Sequence, residues 1–593
     1  MLPPLPLRRA LVRAGFLSLL AYAWYAGHAA SGVGAPAGNG DPSGLRFSEV
    51  AREVGVDFLH RPTRVDPALA NIAPHITAVG AAVSVADADG DRLPDLYVVT
   101  SADGAPNALY RNRGDGSFED VARRAGLADL NRAGEGACMG SVWGDFDGDG
   151  REDVFVYKWG RCQLFRNEGG LRFRDVSAGS GLEGWINSNA ATWLDYDRDG
   201  VLDLYVAGYF HEQHDLWKLG TTRIMHDSFE FATNGGNNHL YRGRGDGTFE
   251  DVTERTGAGS TRWTYAAVAA DFDRDGWPDL YVANDYGPEE LFLNRGGERF
   301  ELARGIGLEA ESKSGMCVAL GDVWNEGRPS VYVTNISKAG YLFQGNNLRV
   351  SLLDRDGPML QLAEGAAADC GWAWGAQFGD LDGDGLQDLV VVNGFISASR
   401  ERDYWYQMSK IGLGTGGVIA DAAKWPAFED RSLSGYERTR VLLKTGARGA
   451  RFREAGGAVG IDDVYDGRAV ALADLSGSGR LDVIVANQGG PLLIYRNEAR
   501  NDNRWVAFDL IGTKSNRSAI GAEVELEFAG QRQLQVVTAA CGFASQNDHR
   551  RHFGLGREPG AVRATVRWPS GVEQTLELAE ADLGRLHVVR EPE

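Results

Sequence analysis

One short acidic pattern recurs along the chain and limits what it can fold into. It reads DADGDRLPDLYV from Asp87, DFDGDGREDVFV from Asp145, DYDRDGVLDLYV from Asp195, DFDRDGWPDLYV from Asp271 and DLDGDGLQDLVV from Asp380. Two looser copies, DVWNEGRPSVYV from Asp322 and DLSGSGRLDVIV from Asp474, bring the total to seven, spaced 58, 50, 76, 51, 58 and 94 residues apart. Each copy follows a small-residue apolar stretch such as AAVSVA or YAAVAA and runs directly into a β-rich one. A second pattern follows most copies: ALYRNRGDGSFEDV, QLFRNEGGLRFRDV, HLYRGRGDGTFEDV and LFLNRGGERFEL, a strand, a Gly-centred turn and another strand. The unit is therefore four strands, and seven such units of roughly 50 residues predict an all-β fold, a seven-bladed β-propeller. The segment FSEVAREVGVDFLH from Phe47 resembles the outer strand of a unit that lacks its other three. Lent to the last blade, it closes the ring and leaves no free sheet edge.

The spacing of the acids has its own chemistry. Positions 1, 3, 5 and 9 are carboxylates, and a glycine at 4 or 6 turns the backbone so that they converge. Hard oxygen donors this dense on a tight turn suit Ca²⁺, with a carbonyl and water completing six to eight ligands; Mg²⁺ keeps more of its water. Solvated Asx turns are the plain alternative. They account for one copy easily and for five poorly, because unpaired carboxylates crowded at a turn repel. The expected ligands are Asp87, Asp89, Asp91 and Asp95; Asp145, Asp147, Asp149 and Asp153; Asp195, Asp197, Asp199 and Asp203; Asp271, Asp273, Asp275 and Asp279; and Asp380, Asp382, Asp384 and Asp388. That makes five Ca²⁺ sites, with weak or no metal at the Asp322 and Asp474 copies.

Composition narrows the class. The 593 residues carry 82 Asp+Glu against 61 Lys+Arg, a net charge of −21, and the loops alone hold more acid than that imbalance. Such a balance argues against a nucleic-acid partner, which needs clustered Lys and Arg. An apolar share of 43% rules out a disordered polyanion. At the N-terminus, Arg8, Arg9 and Arg13 precede an apolar run from Ala14 to Ala26 and then small residues, the layout of a secretory signal. Residues 1–30 are read as a signal peptide or uncleaved anchor, 31–44 as a linker, 45–498 as the propeller and 499–593 as a β-rich C-terminal domain. The product is an exported protein, touching a membrane only through such an anchor. Five widely spaced cysteines define no disulfide framework.

These repeats resemble the FG-GAP/VCBS repeats of the integrin α-subunit propeller, whose loops bind Ca²⁺. From Asn503 the segments NRWVAFDLIGTKSNRSAIGAEVEL, CGFASQNDHRRHFGLG and VRWPSGVEQTL resemble the ASPIC/UnbV domain of cartilage-acidic-protein-like proteins. The resemblance implies a secreted Ca²⁺-binding propeller with a small β-sandwich-like cap and assigns no activity. One subset of the family is named for association with enediyne gene clusters, which makes a biosynthetic accessory role the alternative to a binding module.

Topology places all Asp loops on one face, so function is sought on the other. Two long insertions map there: Tyr209 to Asn237, and about Phe395 to Arg438, the latter holding Tyr404, Trp405, Tyr406, Trp425 and Phe428. The starts of the inner strands add His75, Cys138, Met139, Asn187, Trp263, Tyr265, Met316, Cys317, Trp372, Trp374 and Arg468, and the first insertion adds His211. Three readings compete: aromatic residues plugging the channel, a mouth for a protein, glycan or small-molecule ligand, and a soft-metal site built from His75, the Cys and the Met. No nucleophile elbow, HExxH, P-loop or dinucleotide fingerprint is present. The Ser545, His549 and His552 set falls inside the C-terminal signature and suggests no mechanism.

Overall fold

The computed structural model describes residues 41–593 apart from Ala310, Leu413, Thr415 and Arg448. The expected signal, residues 1–30, lies outside the described residues, and among those described no helix is long and apolar enough to cross a membrane.

Each Asp copy joins an inner strand to the next strand of the same sheet. In the first unit the strands Ala82–Ala86, Asp95–Val99, Ala108–Asn112 and Phe118–Asp120 pair antiparallel in chain order. Six further four-stranded units follow the same order, with inner strands Gly136–Gly144, Trp185–Leu194, Trp263–Ala270, Ala319–Gly321, Ala373–Gly379 and Gly467–Ala473, the second and third units being joined into one eight-stranded sheet where Trp185 to Asn187 pair with Trp159 to Arg161. The outer strand of the seventh unit is Phe47–Glu49, which pairs antiparallel with Leu492–Asn497 and ties the start of the described chain to its last repeat. The inner strands pack on one another from the first to the fourth and from the fifth to the seventh, and the seventh packs against the first. They are buried apart from Trp185 and Leu320, which are half-buried, and most are rich in Ala, Val and Gly, small enough to converge near an axis. The molecule is a β-propeller.

A residue type that recurs beside the turn holds neighbouring blades together. Asn112 sends its Nδ2 to the Leu475 carbonyl of the seventh blade at 2.9 Å, and Asn167 reaches Ala88 of the first at 3.0 Å. Asn294 likewise reaches Tyr196 at 2.9 Å, and Asn497 reaches Leu381 at 2.8 Å. In the fifth blade Ser351 Oγ does the same work on Phe272. Each of these buried amides also satisfies a carbonyl in its own blade, so its donors are fully used.

The C-terminal residues form a three-stranded sheet, in which Arg504–Ile511 lies between Arg551–Gly556 and Leu586–Arg590, and a four-stranded one built on Glu523–Phe528. Their buried Val506, Phe508, Val524, Leu526 and Phe553 are continuous with the propeller core. This domain sits on the loop face and touches all seven loops. Arg550 donates to the Arg92 carbonyl, Ser518 Oγ accepts from Asp145 N–H, and Arg198 donates to Pro569. Arg274 pairs with Glu523 at 2.6 Å, Leu534 N–H donates to Asp322, Gly556 N–H to the Gly383 carbonyl, and His552 Nε2 lies 2.9 Å from the Gly479 carbonyl.

From this domain the segment 541–547 enters the bore. Ser545–Gln546 pairs parallel with the inner strand Ala82–Ala86. Trp143 N–H donates to Gln546 Oε1 at 2.8 Å, Leu472 N–H to Asn547 Oδ1 at 2.9 Å, and Gln377 Nε2 to the Cys541 carbonyl at 2.6 Å. Inner strands of several blades thus spend their spare polar groups on the inserted segment.

Candidate functional site

Two sites face opposite ways. The first is the set of Asp loops. In all five full copies, residues 4 and 6 take left-handed backbone: Gly90 and Arg92, Gly148 and Gly150, Arg198 and Gly200, Arg274 and Gly276, Gly383 and Gly385. Two such turns within three residues curl the chain around the position-1 carboxylate. Asp145 accepts from Asp149 N–H at 3.0 Å and Gly150 N–H at 2.6 Å, and Asp380 accepts from Asp384 and Gly385 likewise.

Carboxylate oxygens of Asp87, Asp89 and Asp95 lie within 4.8 Å of one another, as do those of Asp145, Asp147 and Asp153, of Asp271, Asp273 and Asp279, and of Asp380, Asp382 and Asp388. In the third loop the trio is Asp195, Asp197 and Asp199. Position 5 therefore stands outside four of the five clusters. Asp91, Asp149, Asp275 and Asp384 each close an Asx turn onto the residue two further on. Arginines from the third strand also draw acid outward: Arg111 pairs with Asp89 and Asp91, and Arg166 with Asp147 and Asp149.

Position 9 is half structural. Asp153 Oδ2 accepts from Phe146 N–H at 3.2 Å and Oδ1 from Asn167 N–H at 2.7 Å, pinning the loop to its third strand. Asp95, Asp203, Asp279 and Asp388 repeat this bracket. So does Asp482 in the seventh copy, where serines replace the middle acids.

The donor set fits a hard cation. Burial and the crowding of like charges push Asp95 and Asp153 up to about 8 and Asp145 to about 6. In the third loop Asp195 Oδ1 and Asp197 Oδ1 are buried without a hydrogen-bond partner. Among the described residues the five full copies are the only groups of three or more metal-ligating side chains this close together. His75, Cys138, Cys317 and Cys370 do not come together, and all five cysteines are buried thiols.

The second site opens at the other end of the inner strands. A cavity of about 420 Å³ is walled by Tyr265, Tyr286, Trp372, Trp374, Phe395 and Trp405. Trp372 stacks on Phe395 with centroids 4.3 Å apart, and Tyr341 stacks on Trp405 at 5.3 Å. The inserted segment backs this wall: Phe543 meets Trp374 at 5.1 Å and Tyr265 at 5.6 Å. Both insertions contribute, the first through Phe229 and Glu230, the second through Phe395, Trp405 and Met408.

Of the residues expected on this face, His75, Tyr265, Met316, Trp372, Trp374, Phe395 and Trp405 line the cavity. Trp263 lies one layer back, edge-on to Tyr209 and Tyr286. Arg468 is fully buried behind Trp374, its guanidinium 4.2 Å from that ring and hydrogen-bonded to the carbonyls of Ala78, Gly394, Phe395 and Gly467. Met139 packs under Gly80, and Asn187 holds the carbonyls of His211 and His214 together, away from the cavity. Sequence reading missed Asp285, a carboxylate at the end of a second strand that accepts from Tyr209 OH at 2.9 Å and Tyr286 N–H at 3.1 Å. No signal marked it: the equivalent strand position in the other copies is Ser101, Trp159, Tyr209, Ile336, Gly394 or Gln488, with no shared residue type.

Fold and loops together define the class: a β-propeller with candidate cation loops, capped on its loop face by a β-rich domain. Residues 87–156, 145–206, 231–282 and 271–333 match the FG-GAP-like repeat family, and residues 512–593 match the ASPIC and UnbV family. The chain carries FG-GAP-like repeats followed by an ASPIC/UnbV domain. It is similar to cartilage acidic protein 1 of Xenopus tropicalis, 25% identical over 385 residues, covering 54% of this chain and 58% of that one. The human protein of that name is 25% identical over 384 residues, covering 53% and 56%. The chain thus spans somewhat over half the length of the curated relatives it matches. Among solved structures, an Agrocybe aegerita lectin that recognises non-reducing terminal N-acetylglucosamine aligns at 17% identity over 64% of this chain and 83% of its own, with a TM-score of 0.37, too loose to bear on ligand or fold.

Proposed function

We propose that this chain is an exported recognition module, braced by Ca²⁺ on one face and binding its ligand on the other. One observation carries the reading: the C-terminal domain covers every Asp loop, while the opposite mouth keeps an aromatic-walled cavity of about 420 Å³, within the size range of ligand pockets. The FG-GAP and ASPIC/UnbV matches support an extracellular adhesion or recognition role.

The residues that would hold Ca²⁺ are those at positions 1, 3 and 9 in four loops, and Asp195, Asp197 and Asp199 in the third. When bound, the ion supplies positive charge that removes the mutual repulsion of these acids. The chain's own groups do the rest. Left-handed turns aim the carboxylates, position 9 fixes the loop to the third strand, and Asn112, Asn167, Asn294 and Asn497 lock each of their loops to the neighbouring blade. Rigid blades then hold the aromatic walls in register.

Titration of the full chain with the uncharged fluorophore N-phenyl-1-naphthylamine tests the reading. Saturable binding at one site is expected, lost in Trp372→Ala and weakened by a calcium chelator. Absence of saturable binding in the calcium-loaded protein would sink it.

A further inference from the structure

The cavity wall is aromatic but carries carboxyl groups. Asp285 and Glu230 line it, and no Lys or Arg does among the described residues. Asp285 is 6% exposed and is held by Tyr209 OH and Tyr286 N–H, with no cation paired to it. A buried carboxylate without a counter-charge is costly, and proteins carry one where something positive arrives to meet it. The same cavity is lined by Tyr265, Tyr286, Trp372, Trp374 and Trp405. Indole and phenol faces attract cations through their quadrupoles, most strongly where water is excluded. The indole N–H groups of Trp372, Trp374 and Trp405 have no hydrogen-bond partner.

From this combination we infer that the cavity takes a methylated ammonium group, whose methyl shell packs on the rings while its charge faces Asp285. The inference rests on the reading of this mouth as the ligand site and adds the chemical class of the ligand. A bare ammonium or guanidinium fits less well, because the aromatic wall offers few acceptors for its N–H donors. An anionic ligand is disfavoured by both acids. The nearby bases do not reverse this. His75 is held neutral by burial, its pKa lowered to about 4, and His226, stacked on Tyr286 at 3.5 Å, is pushed down by the same cause. Arg468 lies behind Trp374 with its donors on four backbone carbonyls.

The same head group occurs free, on a side chain and on lipid, so calorimetry on the calcium-loaded full chain takes three probes: choline, a trimethyllysine peptide and phosphatidylcholine vesicles. At least one is expected to bind, displacing N-phenyl-1-naphthylamine. The uncharged isostere 3,3-dimethyl-1-butanol is expected to bind about tenfold or more weakly than choline, the scale of a desolvated cation–π contact plus a charge. Asp285→Asn is expected to erase that preference, and Trp405→Leu to weaken every cationic probe, each with unchanged calcium content and near-UV circular dichroism. If the dimethylbutanol binds as tightly as choline, or no cationic probe binds while the naphthylamine does, the inference fails and the recognition reading stands. If the naphthylamine also fails to bind, both fall.

Discussion

Single residues decide how tightly this ring is closed and what its mouth prefers. Asn167 donates to the carbonyls of Ala88 and Glu152 from a buried position, so Asn167→Ala strands two acceptors. A loss of about 2 kcal/mol is expected, read as a lower urea midpoint at unchanged slope. The Asn residues of ALYRN and QLFRN were visible as a repeat but not as links, because a cross-blade bond has no signature within one repeat. Asp285 makes a second prediction. Burial raises its pKa to about 7, against an ordinary 3.8, with Tyr209, Tyr286 and Ser314 as its hydrogen-bonding neighbours. A raised folded value contributes stability below about pH 4 that is lost as pH climbs through 7. Asp285→Asn lacks this term, so its melting temperature should gain on the parent between pH 4 and pH 8. A constant difference across that range would refute the assignment.

The Asp loop is the element most fully legible in the sequence, and its reading changes in one respect. Spacing alone puts positions 1, 3, 5 and 9 on one turn, but position 5 stands outside the cluster in four loops, although left-handed residues at 4 and 6 are common to all five. Asn325 and Gly327, and Gly477 and Gly479, show that both degenerate copies keep the same backbone without the donor set. Metal content should therefore follow side chains rather than shape. Asp145→Asn with Asp147→Asn should remove one Ca²⁺ per chain by elemental analysis, whereas Asp474→Asn should remove none. Loss of two or more ions from the first variant would show that the loops are coupled, not independent. Less could be read of the cavity: the two insertions pointed to the correct face, while Tyr341, Ser314 and Asp285 come from short segments with no shared pattern.

For the whole molecule, loops and cap form one structure. Every Asp loop bonds to the C-terminal domain, so removal of Ca²⁺ should loosen that domain as well as the blades. Each site filled to a hundredfold over its Kd adds about 3 kcal/mol. A chelator should accordingly lower the melting temperature and speed amide exchange across residues 504–536; protection there that ignores chelation would contradict the coupling. The inserted segment 541–547 has a consequence for inheritance. Because Trp143, Leu472 and Gln377 complete their bonding only on that segment, a gene cut between repeat array and cap leaves a hollow, polar-lined ring rather than a self-sufficient module. The two halves of this chain are built as one piece and not as beads on a string, since the bore of one is filled by a segment of the other.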